Sequence, residues 1–215
     1  LNFTVLLYAS QAGFWGFIAL GILVAGVMIS FVRTFAQKAP RNEGSPKPGR
    51  ISLLGFPIDS LSRREVLARI DGWIRSGDGF RHLVTADSLA IDRARHDESF
   101  AGIMRQASLV MPDGAGLLWA SDFLGTPLVE RIPGVGMVED LCRLAVEAKQ
   151  SIYFIGAKPG IIDSAVELIG KRVPGMIVAG THHGYFAADS EEETAVIKTV
   201  LEARPRLLFV AMGVP

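Results

Sequence analysis

From Ile51 onward, short apolar runs alternate with amphipathic segments, and this alternation restricts the chain to very few folds. The runs are short, bounded by turn residues and partly β-branched, which is typical of buried strands. The segments between them repeat apolar residues three and four positions apart, as helices with one buried face do. Alternating strands and helices predict an α/β fold, a parallel sheet with helices on both faces.

The predicted strands are residues 51–56 (with an exit at 57–59), 82–86, 107–111, 151–155, 176–179 and 207–212. The predicted helices are residues 62–74, 88–95, 98–106, 115–124, 137–149, 161–172 and 190–203. Ser62 and Glu65 have the spacing of a capping box, which marks the start of the first helix.

The amino-terminal part of the chain predicts a membrane anchor. Residues 14–32 are apolar or small, and the first 32 residues carry no charge. At 1.5 Å per residue such a helix spans ~28 Å, close to the hydrocarbon thickness of a bilayer. The alternative, a cleaved signal peptide, would have its basic residues before the apolar run, whereas Arg33 and Lys38 follow it. The positive-inside rule then predicts a single-pass inner (cytoplasmic) membrane protein with its folded domain in the cytoplasm.

Composition divides the chain into three parts. We expect residues 1–37 to form the anchor, residues 38–50, rich in proline and glycine, to form a linker, and residues 51–215 to form one domain. The last part carries 17 basic and 21 acidic side chains, which argues against a nucleic-acid partner. Small residues four apart in the anchor are typical of associating helices, so a homo-oligomer is one expectation. Leu1 at the start and a strand followed at once by the end of the sequence lead us to expect a domain truncated at its carboxyl terminus.

Asp113 is the first candidate for the chemistry. It follows a predicted strand in the sequence Met-Pro-Asp-Gly and precedes a predicted helix. Ligands of open α/β sheets bind at the carboxyl ends of strands, which favours a catalytic carboxylate. Capping of the helix that follows is the alternative, and the two roles are compatible.

Two further strand ends carry polar residues. Thr85 and Asp87 follow the strand at 82–86, so they are predicted to share a cleft with Asp113, although Asp87 is equally suited to capping. Arg131 lies in a loop rich in glycine and proline, where it is either a bidentate phosphate ligand or a surface arginine.

The sequence from Gly156 to Gly160 predicts a phosphate-binding turn. It joins a strand to a helix, contains Lys158, and offers glycines and free helix amides to an anion. The spacing of a P-loop is absent, and a plain strand–helix turn remains the alternative.

His182, His183 and Tyr185 follow another strand. Because adjacent side chains are expected to point in different directions, the pattern favours one structural and one solvent-facing histidine over a shared metal. A hydrogen bond to a sugar or phosphate is a further interpretation. The sequence contains no Asp-x-Asp pair and a single cysteine, Cys142, so no metal site and no internal disulfide are predicted.

Taken together, these stretches resemble the WecG/TagA/CpsF family of bacterial glycosyltransferases. The matching stretches, in family order, are residues 54–59, 85–87, 111–114, 130–134, 154–160, 180–186 and 211–215. The resemblance implies a Rossmann-like α/β domain and an inverting, metal-independent and cofactor-free transfer of an N-acetylmannosamine-type sugar. The implied donor is a UDP-sugar and the implied acceptor is a polyprenyl-diphosphate-linked sugar at the membrane. It also implies that Asp113 is the catalytic base and Thr85 an active-site polar residue.

The chain departs from that family pattern at three places. Asp87 stands where the family usually has asparagine, the sequence ends before a glutamine-containing loop and a basic carboxyl-terminal appendage, and the anchor is not a usual family feature. The alternatives to a transferase are a membrane-tethered nucleotide-sugar-binding module and another nucleotide-sugar enzyme such as an NAD-dependent epimerase. The epimerase is disfavoured because Gly55 is isolated after the first strand, where a dinucleotide site needs G-x-G-x-x-G.

Overall fold

The computed structural model of the protein describes residues 49–77 and 79–212. The predicted anchor at residues 14–32 and nearly all of the predicted linker lie outside the described residues. Among the helices of the described ranges, none has both the length and the apolar character needed to cross a bilayer.

The domain begins with a β-hairpin that the sequence interpretation missed. β1 (Gly49–Leu53) pairs antiparallel with β2 (Phe56–Ser60). Leu54 and Gly55 connect them with φ angles of 53° and 88°, as the two central residues of a type I′ turn require. The prediction of one strand over 51–56 with an exit at 57–59 was therefore wrong. Leucine at a left-handed position gives no turn signal, and the first strand begins within the predicted linker.

The remaining elements follow the predicted alternation. They are α1 (Arg63–Ser76), β3 (Leu83–Ala86), α2 (Ser88–His96), α3 (Glu98–Gln106), β4 (Leu109–Pro112), α4 (Ala115–Phe123), α5 (Gly134–Glu147), β5 (Ser151–Gly156), α6 (Ile161–Arg172), β6 (Ile177–His182), α7 (Glu191–Ala203) and β7 (Leu207–Ala211). The capping box is confirmed, since the Ser62 side chain accepts from the Glu65 amide and the Ser62 amide donates to Glu65 Oε2 at 2.8 Å.

The strands after the hairpin pair in parallel, as predicted, but in the described residues they form two sheets and not the single sheet predicted. β3 pairs with β4, and β5 lies between β6 and β7. The only antiparallel pair among the described residues is the hairpin.

Helices cover both faces of these strands. Leu109 and Met111 of β4 pack with α1 and α5, whereas Val110 packs with α2 and α3 on the other face. In the same way, Phe154 of β5 packs with α6, and Tyr153 packs with α7. Helices on both faces of parallel strands are the predicted α/β architecture.

β7 joins the two halves of the core. Leu207 and Phe209 pack against both the cluster around α1, β4 and α5 and the cluster around β5 and α6. The Phe209 ring also stacks on Phe154 with centroids 5.1 Å apart. Cys142 lies in the second cluster, and burial raises the pKa of its thiol to about 11, which fits a structural thiol.

A buried carboxylate fastens the hairpin to β4. Asp59 is 3% exposed, and its Oδ2 accepts a 2.7 Å hydrogen bond from the Val110 amide. The Arg50 guanidinium donates to both Asp59 oxygens, at 3.1 and 2.7 Å, and to the carbonyl oxygens of Ala107 and Ser108. The hydrogen bond to Asp59 raises the pKa of Arg50. Asp59 therefore links both strands of the hairpin to the start of β4.

We expect Asp59→Ala to lower the free energy of unfolding by about 2–3 kcal/mol, because the Val110 amide would lose its buried acceptor. Asp59→Asn keeps one acceptor oxygen for the Val110 amide but loses the charge and the second acceptor for Arg50, so its cost should be smaller, about 1 kcal/mol. Asp71→Asn is the control, because it removes an exposed pair with Arg75 and should cost about 0.5 kcal/mol or less. Urea denaturation measures all three, and an equal cost for Asp59→Ala and Asp71→Asn would contradict the assignment.

Candidate functional site

The loops that follow β3 and β4 meet side by side. The Asp113 amide donates to the Ala86 carbonyl at 2.8 Å. A β-carbon built on Gly114 would lie 2.9 Å from Asp87 Cβ, and one built on Gly116 would lie 2.4 Å from Ser88 Oγ. The glycines therefore permit contact between the two loops, and the structure brings Asp87 and Asp113 to one place.

The Asp113 carboxylate is held by the start of a distant helix. Its Oδ2 accepts a 3.1 Å hydrogen bond from the Gly134 amide, the first residue of α5. The helix that follows Asp113 has Gly114 as its N-cap and no side-chain capping bond. The alternative interpretation, that Asp113 caps this helix, is therefore wrong, because Asp113 precedes the N-cap. The side chain keeps 32% of its surface exposed, so a ligand can reach it.

Thr85 packs directly on the residue that holds Asp113. A β-carbon added to Gly134 would lie 2.6 Å from Thr85 Cγ2 and 3.5 Å from Thr85 Oγ1. Thr85 and Asp113 are thus neighbours across the start of α5. The helix begins at Gly134 and not at the predicted Met137, because its first turn is fixed by this contact and by the Asp113 carboxylate.

Arg131 lies beside Asp113 at the surface. Its Nε donates to the Asp113 carbonyl at 2.5 Å, and its Nη2 lies 4.0 Å from Asp113 Oδ1. The next residue, Ile132, is buried and donates its amide to the Pro112 carbonyl at 2.7 Å, which holds the loop along the end of β4. The arginine side chain is 49% exposed, so a cation positioned by Asp113 is open to a ligand.

Asp87 caps α2, as one of the two interpretations predicted. Its Oδ1 accepts a 2.8 Å hydrogen bond from the Ala90 amide. Asp87 therefore caps a helix and also lies beside Gly114 at the candidate site.

The turn from Gly156 to Gly160 forms a second group of candidate residues. Gly156, Ala157 and Gly160 have φ angles of 146°, 57° and 78°. A β-carbon on Gly156 would lie 2.4 Å from the Ala211 carbonyl oxygen, so only glycine permits β7 to come this close. Gly160 is the N-cap of α6 without a side-chain capping bond, which leaves first-turn amides available to an anion. Lys158 is exposed on the turn.

The third group continues from β6. The strand runs to His182 and not to the predicted Ala179, because Gly180 does not break it. A β-carbon on Gly180 would lie 2.4 Å from Tyr153 Cε2, so this glycine makes room for a ring within the strand. The Gly184 amide donates to the Ala157 carbonyl at 3.0 Å and joins this loop to the glycine-rich turn. Tyr185 next to it is 62% exposed.

The two histidines lie together, contrary to the prediction that they point apart. Their ring centroids are 4.4 Å apart. His182 Nδ1 donates to the His183 carbonyl at 2.8 Å, and His183 Nδ1 accepts from the Tyr185 amide at 3.3 Å. One ligand atom from each histidine and one from Glu192 lie within 4.8 Å of one another. The sequence interpretation missed Glu192, which lies in the first turn of a helix nine residues further along the chain.

Comparison with known proteins gives a family match over the whole described domain. The sequence profile of the Glycosyl transferase WecG/TagA/CpsF family matches residues 51–215. The curated relatives include the N-acetylglucosaminyldiphosphoundecaprenol N-acetyl-beta-D-mannosaminyltransferases of Staphylococcus aureus strains NCTC 8325 / PS 47, COL and MRSA252. Each is 28% identical over 167 residues, which are 77% of this chain and 64% of the relative. The chain thus spans less than two thirds of the length of these relatives.

We expect Gly134→Ala to lower the free energy of unfolding by about 1–3 kcal/mol, because its β-carbon would collide with Thr85 Cγ2. Alanine in a helix normally stabilises relative to glycine, so a loss would identify the collision as the cause. Thr85→Ser removes only that methyl group, and combining the two changes should recover at least about 1 kcal/mol. Chemical denaturation of the four proteins in this double-mutant cycle measures the coupling. Additive effects of the two changes would contradict the contact.

Proposed function

The chain belongs to the WecG/TagA/CpsF family of glycosyltransferases, and we propose that it transfers an N-acetylmannosamine-type sugar from a UDP donor to a polyprenyl-diphosphate-linked sugar. The names of the relatives, which act on N-acetylglucosaminyl-diphosphoundecaprenol, support this donor sugar and acceptor class. The product would enter cell-surface polysaccharide or teichoic-acid-type assembly. The observation that carries the proposal is the Asp113 carboxylate, about one third exposed to solvent and oriented by the Gly134 amide.

Asp113 is the general base of the proposed reaction. An acceptor hydroxyl is a weak nucleophile until a base removes its proton as the new bond forms. The Gly134 amide engages Oδ2, which orients the carboxylate and leaves Oδ1 for the hydroxyl proton. The acceptor oxygen bonds to the anomeric carbon, the bond from that carbon to the UDP oxygen breaks, and the proton passes to Asp113. One displacement of this kind inverts the anomeric configuration.

The leaving diphosphate needs positive charge, which side chains and helix amides supply in this proposal. Lys158 and the uncapped start of α6 provide a cation and amide donors at one turn, and Arg131 provides a second cation. The sequence has no Asp-x-Asp pair to hold a divalent metal on the diphosphate. We therefore propose that the transfer is metal-independent. Gly156, Gly160 and Tyr185 complete the predicted donor subsite.

The predicted anchor fits the proposed acceptor. A polyprenyl chain is confined to the bilayer, so a domain tethered on the cytoplasmic face of the inner membrane meets its acceptor in two dimensions. Association of anchors through their small residues would make the enzyme a homo-oligomer.

We expect Asp113→Asn to lower turnover about a hundredfold or more, because asparagine can accept the Gly134 hydrogen bond but not the acceptor proton. UDP affinity and the free energy of unfolding should stay close to those of the parent. Asp122→Asn, an exposed carboxylate on the helix that follows, is the matched control and should not change turnover. The assay follows sugar transfer from UDP-N-acetylmannosamine to a short-chain lipid acceptor. Transfer by Asp113→Asn at close to the parent rate would remove Asp113 from this role and make Asp87 the next candidate.

We expect Lys158→Ala to weaken UDP binding by about 1–2 kcal/mol, the contribution of a charge-assisted hydrogen bond. Lys171→Ala is the control, because that lysine lies in the last turn of the same helix and pairs with Glu167 at the surface. Titration calorimetry with UDP measures both. Equal affinities of the two variants and the parent would exclude Lys158 from the donor subsite.

A further inference from the structure

We propose that His182, His183 and Glu192 form a binding site for a transition-metal dication of the Zn²⁺ type. One ligand atom from each of the three side chains lies within 4.8 Å of the other two. The His183 Nε2 and Glu192 Oε1 atoms are 3.6 Å apart. Two ligands bound tetrahedrally to zinc at 2.0–2.1 Å lie about 3.3 Å apart, so small side-chain movements close the site.

The hydrogen bond of the first histidine leaves one ring nitrogen with its lone pair for a metal. The His183 carbonyl can only accept, so His182 Nδ1 must carry the proton of their 2.8 Å hydrogen bond. The lone pair of the neutral imidazole is then on Nε2. In most zinc-binding histidines, a hydrogen bond of this kind from the nitrogen that does not bind the metal fixes the tautomer and the ring orientation. The Phe186 ring, in edge contact at 5.7 Å, holds the imidazole from another side.

The second histidine and the glutamate form a pair that a metal would bridge. The Tyr185 amide donates to His183 Nδ1, which directs the proton of Nε2 towards Glu192. A dication replaces that proton and satisfies the nitrogen and the carboxylate together. The proton moves from Nε2 to Nδ1, so the imidazole stays neutral, and the Tyr185 contact is given up, which at 3.3 Å is the longer of the two histidine hydrogen bonds.

The donor set selects the class of metal. Two imidazole nitrogens and one carboxylate oxygen suit Zn²⁺, Co²⁺ or Ni²⁺, whereas Mg²⁺ and Ca²⁺ prefer oxygen ligands only. Three protein ligands leave one tetrahedral position for water.

The site lies beside the turn that carries Lys158. His182 ends β6, Glu192 lies in the first turn of α7, and Gly184 between them bonds to the Ala157 carbonyl. A bound metal would cross-link the strand to the helix and hold the intervening loop against the glycine-rich turn. The histidines would then act as metal ligands, and Tyr185 would remain to contact the sugar or phosphate.

Titration calorimetry of the purified full chain with ZnCl₂ tests the site without nucleotide or acceptor, so the result is independent of the proposed transfer. We expect one Zn²⁺ per chain, and a visible absorption spectrum typical of tetrahedral coordination when Co²⁺ is used instead. His182→Ala, His183→Ala and Glu192→Gln should each weaken Zn²⁺ binding about tenfold or more. His96→Ala and Glu191→Gln, an exposed histidine and a neighbouring glutamate outside the cluster, should bind as the parent does.

Glu192→Gln keeps the result interpretable if a histidine variant fails to fold, because it preserves size on a half-exposed helix turn. Thermal unfolding with and without Zn²⁺ provides the second measurement, and only the parent and the two controls should be stabilised. Absence of Zn²⁺ binding by the parent, parent-like affinity of Glu192→Gln or of a folded histidine variant, or an equal loss in a control would overturn the proposal.

Discussion

The hydrogen bond from the Gly134 amide to the Asp113 carboxylate is the interaction on which the arrangement of the site depends. It joins the end of β4 to the start of α5, two places that are 21 residues apart in the chain. It orients the carboxylate, beside which Arg131 lies at the surface, and it holds the start of the helix against Thr85. The contact with Thr85 explains why position 134 is glycine, since a larger residue would separate the helix from Thr85. The hydrogen bond from Gly134 to Asp113 thus both fixes the start of α5 and orients the proposed catalytic base.

Most of the fold could be predicted from local pattern, because the period of apolar residues directly reflects burial on one face. The helix over Ile161–Arg172 was predicted with its observed bounds. Strand boundaries were predicted wrongly where a residue departs from its usual local preference. At Gly180 the reason is a contact with a residue distant in the sequence. Gly180 looks like a strand breaker until Tyr153 is seen to need its space, and Leu54 occupies a turn position that favours glycine or asparagine.

The candidate site could be predicted less completely. The rule that ligands bind at strand ends led to Thr85, Asp87 and Asp113, which the structure does bring together. The partner of Asp113 could not be read from the sequence, because the capping rule considers only the helix that follows. Glu192 was missed for a similar reason. A loop of irregular conformation separates it from the histidines, and no spacing rule describes such a loop.

The position of β7 has a consequence for the order in which the chain acquires its structure. Leu207 and Phe209 belong to the packing of both halves, yet they are in the last strand described. During synthesis on the ribosome, the hairpin, α1 and β4 emerge well before the residues that complete their core. The hairpin, α1 and β4 therefore expose apolar surface until β7 has been synthesised. Exposed apolar surface favours chaperone binding and aggregation. Both halves of the hydrophobic core are completed in one late step, because the same strand, β7, packs against both.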